Sequence, residues 1–308
     1  MKAVKAINLT KTFALSPLGA RKIIALKDIS FEIEEKEHLA VMGPSPSGKT
    51  TLLKVIAGIY LPDKGDLLIY GNSVRKKARA VRNLTCYMSP QIQLNKKLTV
   101  KETLNYFTRI LGKKISGEVE ELLQSVGIVG ENLNNRIETL SDAQLAVLKL
   151  AIGLIKEPKI LLLDRIFGSL DPKVKEVFTD AIEKVSDQTT LVMVDQEMEI
   201  LGKFCKKILL LSKDGSMVTM GSVEQLLRNY PYKFDIEVIP KKALSKEILE
   251  SMGYPYQLMG SLVRFYLTSE EEVLDLTKKL LKIKDKIISF ETSSIDVEDV
   301  YYWLISKE

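Results

Sequence analysis

The sequence predicts an α/β fold, a parallel sheet covered by helices, followed by a smaller α+β domain. Two observations carry this. As far as about residue 228, short apolar runs that read as strands alternate with segments of helical spacing, which is how a covered parallel sheet is written in sequence. After Tyr230-Pro231-Tyr232 the order becomes strand, helix, strand, strand, helix, strand, the ferredoxin-like pattern. A chain of 308 residues has room for both.

In the first part, 4–13 and 29–34 alternate like half-exposed strands, and 38–42 is a short apolar one. Residues 49–59 place Leu52, Leu53 and Ile56 at helical spacing. Pro62-Asp63-Lys64-Gly65 is a turn signal, and 67–70 follows it as a strand. Helices are predicted over 118–126 and 142–155. Apolar strands at 159–163 and 189–194 flank a helix over 173–185, and 208–211 adds another strand. In the second part, strands over 233–239, 256–259, 262–268 and 286–292 combine with helices over 243–252, 270–282 and 295–305. No cluster of His, Cys or paired carboxylates marks chemistry there, so that domain is expected to serve interaction or dimer clamping.

Composition narrows the function. Hydrophobic residues at 45% and charged residues at 28% are the balance of a globular protein, not a disordered one. A formal charge of +5 is small for this length and does not by itself imply nucleic acid. The basic run Arg75, Lys76, Lys77, Arg79 and Arg82 is expected to be a solvated face. No stretch approaches the roughly 18 apolar residues that span a bilayer. The best candidate, 147–155, is interrupted by Lys149. The start, Met1-Lys2-Ala3-Val4-Lys5, lacks the apolar core of a signal peptide. Cys86 and Cys205 are lone thiols without metal-ligand spacing, which suits a reducing cytoplasm.

The chemistry begins at Gly43-Pro44-Ser45-Pro46-Ser47-Gly48-Lys49-Thr50, a phosphate-binding loop lying between an apolar strand and a helix. Successive backbone N–H groups and a helix N-terminus make a concave anion site there. Lys49 is expected to reach the β and γ phosphates of a nucleotide, and the Thr50 hydroxyl to ligate Mg²⁺. Asp164 ends the apolar run Ile160-Leu161-Leu162-Leu163, where a carboxylate can hold the metal opposite the loop.

With these residues in place, the chain up to Arg228 resembles the ATP-binding cassette (ABC) transporter family. Leu140-Ser141-Asp142-Ala143-Gln144 resembles its signature motif, and Ser169-Leu170-Asp171-Pro172 its D-loop. Tyr87-Met88-Ser89-Pro90-Gln91 is similar to the segment ending in the Q-loop glutamine, and Phe13 falls where the family stacks a ring on adenine. Thr99-Val100-Lys101-Glu102-Thr103-Leu104 matches the opening of the helical subdomain. The resemblance implies a phosphate-loop NTPase (RecA-like) core with an antiparallel β-subdomain and a helical signature subdomain. It places the nucleotide-binding domain at 1–228, the helical subdomain at about 91–150, and a ferredoxin-like accessory domain at 232–308. It implies ATP held by Phe13, Gly43, Ser45, Ser47, Gly48, Lys49, Thr50, Thr51 and Gln91, with Mg²⁺ on Thr50, Gln91 and Asp164. Ser141 and Gln144 would act in trans on a partner's ATP, alongside Asp171. Partners implied are a second cassette, identical or different, and a separate transmembrane permease. The expected location is cytoplasmic, peripheral on the inner face of the membrane, and no nucleic acid is expected.

Several positions depart from the family pattern. Arg165 stands where its catalytic glutamate follows the strand aspartate, and Gln196 where its switch histidine falls. Asp142 and Ala143 replace two signature glycines, and Pro46 a loop glycine, which removes one backbone donor. A general base contributes about 10²- to 10⁴-fold, so its loss forfeits about 3 to 5 kcal/mol of barrier lowering. A guanidinium accepts no proton and cannot replace it. It can instead attract a γ-phosphate, by about 4 kcal/mol at 4 Å in an effective dielectric of 20 before desolvation. Asp142 would turn a carboxylate toward a partner's triphosphate. The expectation is an ATP-binding subunit with impaired hydrolysis. Two alternatives stand beside it: an active ATPase using a substitute base such as Glu197, and a regulator that keeps the fold for protein contacts.

Overall fold

The computed structural model describes residues 1–14, 22–228, 230–295 and 299–300. The chain forms two compact units, Met1–Gly221 and Ser222–Glu308. The first unit ends ahead of the expected Arg228.

The first unit runs β1 (Lys2–Ala14), β2 (Lys22–Glu34), β3 (Leu39–Met42), α1 (Lys49–Ile56), β4 (Lys64–Ile69), β5 (Asn72–Ser73), α2 (Ala78–Leu84) and β6 (Thr85–Met88). It continues through α3 (Val100–Leu111), α4 (Gly117–Gln124), α5 (Asp142–Ile155), β7 (Ile160–Asp164), α6 (Pro172–Ser186) and β8 (Thr190–Val194). It closes with α7 (Met198–Phe204), β9 (Lys207–Leu211) and β10 (Met217–Ser222). A six-stranded sheet has the order β10-β9-β3-β8-β7-β6, and a four-stranded one the order β2-β1-β4-β5. Every residue of β3, β7 and β8 is buried, as expected of apolar strands covered on both faces. β6, β7, β8, β3 and β9 pair in parallel, with Asp164 opposite Val194 and Tyr87 opposite Leu162. Their carboxyl ends therefore share one edge, where open α/β sheets bind ligands. The second sheet pairs β1 antiparallel with both β2 and β4.

Several elements differ from the sequence expectation, three of them near the candidate site's strands and helices. β2 starts at Lys22 rather than 29, its first turns paired with β1 from Lys11 to Ala14. α1 stops at Ile56, and Gly58 follows in the left-handed region. α7 is short and has no sequence periodicity to announce it.

The second unit contains α8 (Val223–Arg228), β11 (Phe234–Pro240), α9 (Lys246–Ser251), β12 (Tyr256–Met259), β13 (Leu262–Leu267), α10 (Glu270–Lys282) and β14 (Ile287–Ser294). Its sheet order, β12-β13-β11-β14, is antiparallel throughout and ferredoxin-like. Ile236, Val238, Val263 and Phe265 pack with Leu249, Leu276 and Leu280 of α9 and α10. Arg264 pairs with Asp235, Glu237 and Asp299. Of the helix expected over 295–305, residues 296–298 and 301–305 lie outside the described residues.

Candidate nucleotide site

Between β3 and α1 the chain makes a tight loop that only glycine permits at its two ends. A Cβ on Gly48, whose φ is 85°, would lie 2.0 Å from the Ala25 carbonyl. One on Gly43 would lie 2.5 Å from the Leu211 carbonyl. Gly48 is also the N-cap of α1 and brings no side chain to it, so the helix opens on the loop with its first N–H groups uncapped by a side chain. Ser45 at the tip is exposed, Ser47 is buried, and Thr51 sits half-buried in the first turn. Pro46 supplies no N–H.

Lys49 turns back on the loop. Its Nζ donates to the Gly43 carbonyl at 2.6 Å, the Pro44 carbonyl at 2.8 Å and the Ser47 hydroxyl at 3.1 Å. Burial, then the Arg165 charge, pulls its pKa down to about 8 against the opposing influence of Asp164. The Thr50 hydroxyl donates to Asp164 Oδ1 at 3.1 Å, joining the helix start to the end of β7. Asp164 is 3% exposed, and its Oδ2 accepts from the Tyr87 hydroxyl at 2.8 Å.

Two hard oxygen donors, one hydroxyl and one carboxylate, meet beside an anion-binding loop. That donor set fits Mg²⁺, which is held through one or two protein oxygens plus phosphate and water. Among the described residues no group of three or more His, Cys, Asp or Glu is placed to hold a metal ion.

Arg165 is exposed and sits in the left-handed region at φ 55°, with its N–H donated to the Val194 carbonyl at 2.6 Å. Holding a branched-free but bulky residue there costs backbone energy. Gln196 is exposed. Glu197 is occupied, its carboxylate 2.8 Å from Lys175 Nζ on α6. The carboxylate nearest this segment that sequence reasoning missed is Asp195. It accepts from the Phe167 N–H at 2.9 Å and the Gln196 N–H at 2.8 Å, pinning the loop after β7 to the end of β8. Its signal was available: it follows β8 as Arg165 follows β7 in the adjacent strand.

The other expected residues are exposed or make local contacts of their own. Phe13 packs edge-on against Tyr60 with centroids 5.3 Å apart, and Lys11 Nζ lies 5.4 Å from its ring. Gln91 is exposed, with its backbone N–H directed to the Ser89 hydroxyl at 3.4 Å. Ser141 and Gln144 form a reciprocal capping box on α5, with Ser141 Oγ accepting the Gln144 N–H at 3.2 Å and Gln144 Oε1 accepting the Ser141 N–H at 3.1 Å. Asp171 caps α6 through the Val174 N–H at 3.1 Å, with Pro172 at the first helical position. Asp142 occupies the first turn of α5, where the helix dipole favours its negative charge. A cavity of about 360 Å³ separates these segments, bounded by Pro90, Asp142, Lys149, Ile166, Asp171 and Phe178.

The loop, its lysine and the strand aspartate define a nucleotide-binding domain of the phosphate-loop class. The ABC transporter family model matches residues 26–167. ABC transporter A family member 8 of Dictyostelium discoideum is 28% identical over 76% of this chain and 28% of its own length. The sulfate/thiosulfate import ATP-binding protein of Synechocystis sp. is 32% identical over 71% of this chain and 64% of its own. A dimeric ATP-binding cassette solved in a post-hydrolysis state with ADP and phosphate superposes with a TM-score of 0.62 at 26% identity, covering 71% of this chain and 98% of that one. Over residues 26–167 the chain is similar to the ABC transporter ATP-binding domain. It spans between 28% and 64% of the length of these two curated relatives.

Proposed function

We propose that the chain is the ATP-binding subunit of an ABC transporter that binds Mg-ATP and hydrolyses it poorly. The observation that carries this is the Lys49, Thr50 and Asp164 cluster kept whole beside Arg165, where the base would stand. Lys49 and the N–H groups of the loop and α1 would hold the phosphates, and Thr50 with Asp164 the metal. The Phe13–Tyr60 pair offers the aromatic surface for the base. Mg²⁺, when bound, neutralises phosphate charge. Arg165 accepts no proton, and Glu197 is held by Lys175, so no free carboxylate is supplied by either.

The subunit would work as one half of a cassette pair, its partner identical or different, docked on a separate transmembrane permease at the cytoplasmic face. No helix among the described residues is long and apolar enough to cross a membrane. Ser141, Gln144 and Asp171 would meet the partner's nucleotide, with Asp142 weakening that contact. Relatives named for sulfate and molybdate import support transport as the setting.

The test pairs binding with turnover in the purified chain. Mg-ATP should raise the melting midpoint while phosphate release stays near background. Absence of any midpoint shift at millimolar Mg-ATP would remove the proposal.

A further inference from the structure

Asp164 has both oxygens engaged before any cation arrives. Thr50 takes Oδ1 at 3.1 Å and Tyr87 takes Oδ2 at 2.8 Å. Tyr87 lies on β6 opposite Leu162 of β7, and Leu162 shares a strand face with Asp164 two residues on. The ladder therefore sets the phenol on the same face as the carboxylate. The ring is held from a second side by Lys54 of α1, whose ammonium lies 5.9 Å from the Tyr87 centroid and 5.5 Å from that of Tyr60. Both the Tyr87 ring and the Thr50 hydroxyl are thus anchored to the helix that begins at the phosphate loop.

We propose that Tyr87 is a positioning residue that makes Asp164 present one oxygen to the cation and so selects magnesium over calcium. The physical basis is the difference between the two ions. Mg²⁺ demands near-octahedral geometry, keeps several waters and takes few protein oxygens. Ca²⁺ accepts six to eight oxygens in flexible geometry and readily takes both oxygens of one carboxylate. With one lone pair of Oδ2 taken by the Tyr87 hydroxyl, a cation chelated through both Asp164 oxygens must share Oδ2 with the phenol or displace it. One-oxygen presentation through Oδ1 leaves the Tyr87 bond in place. The hydroxyl acts on the cation through the carboxylate and does not touch the nucleotide.

This inference rests on the proposed Mg-ATP binding, and the experiment separates the two. ATP is titrated calorimetrically into the full chain and its Tyr87→Phe variant, with MgCl₂, with CaCl₂ and with EDTA. Tyr87→Phe removes one oxygen from a half-buried ring, and an unchanged far-ultraviolet spectrum checks that the fold is kept. The expected result is a shift of the magnesium-to-calcium affinity ratio toward calcium by about five- to tenfold, with affinity in EDTA unchanged. A ratio equal to that of the parent chain overturns the proposal, including the case where both affinities fall together, which is what a merely structural tyrosine gives. A parent chain that binds no ATP under any of the three conditions overturns the nucleotide reading, and the proposal with it.

Discussion

Lys49 shows how a single side chain joins folding to ligand binding. In the free protein its ammonium is bonded to two loop carbonyls and a hydroxyl, with a pKa pulled down to about 8 mainly by burial. A bound triphosphate favours the charged form, so the pKa rises in the complex. Binding then takes up a proton where the free lysine is partly neutral, and affinity falls as pH rises past about 8. Titrations in two buffers of different ionisation enthalpy should show net proton uptake at about pH 8.5 and none at about pH 6.5. Identical affinities at about pH 7 and about pH 9.5 would contradict this. Lys49→Ala should abolish the thermal stabilisation given by Mg-ATP. His38 gives the opposite kind of residue, one whose role is structural. Its Nδ1 accepts the Leu191 N–H at 3.1 Å, which an imidazolium cannot do. Burial, partly offset by Asp187, pushes its pKa below 6.5. The unfolded chain therefore binds more protons between the native pKa and 6.5, and the stability present above 6.5 is lost as pH falls through the native value. The melting midpoint should decline more steeply below that pH in the parent chain than in His38→Asn, and parallel pH profiles would count against the assignment. At this scale the placement of Lys49 and Thr50 was legible because the loop motif fixes their spacing, and that of Asp164 because it ends an apolar strand. The roles of Tyr87 and Tyr60 were not, because their partners are chosen by strand register and by packing across the chain.

At the scale of elements, the same helix start serves as a cap and as a candidate ligand. Ser141 and Gln144 spend their polar atoms on each other's backbone N–H groups, and Gln144 Nε2 also donates to the Val126 carbonyl at 3.1 Å. Removing such a cap typically costs about 1 kcal/mol, which for a domain of this size is about 2 to 4 °C in melting midpoint. Ser141→Ala should lower the midpoint by about that much, while Ser141→Asp, which keeps an acceptor, should not. A midpoint unmoved by Ser141→Ala would mean the cap contributes nothing. The strands β7 and β8 and the helix α5 could be read from apolar runs and periodicity. The start of β2 and the whole of α7 could not. Lys22 to Asp28 owes its strand form to the neighbouring β1, and a seven-residue helix has too few turns to declare a face.

At the scale of the whole molecule, the proposed slow hydrolysis could originate at either face of the site, because two copies head to tail would bring Arg165 of one chain and Asp142-Ala143 of the other to one nucleotide. A missing base alone predicts that Arg165→Glu restores substantial ATP hydrolysis. Arg165 holds φ 55° in the loop that Asp195 pins through Phe167, so a glutamate placed there also inherits a constrained backbone. Gln196 offers no titrating switch, and the carboxylate of Asp142 sits at a helix start that a phosphate would otherwise favour. Arg165→Glu should therefore give partial rescue at best. Combining it with Gln196→His, Asp142→Gly and Ala143→Gly should rescue far more than the single changes multiplied together, since groups that act as a unit are non-additive. The measurement is steady-state phosphate release by each variant, with Lys49→Ala in the same background to exclude a contaminating ATPase. The unmodified chain should turn over far more slowly than about 10 per second, a typical enzyme rate. Brisk turnover by the unmodified chain that Lys49→Ala abolishes would sink the hydrolysis-deficient proposal. Glu197→Gln would then ask whether the carboxylate now paired with Lys175 is released to act as the base in the assembled pair.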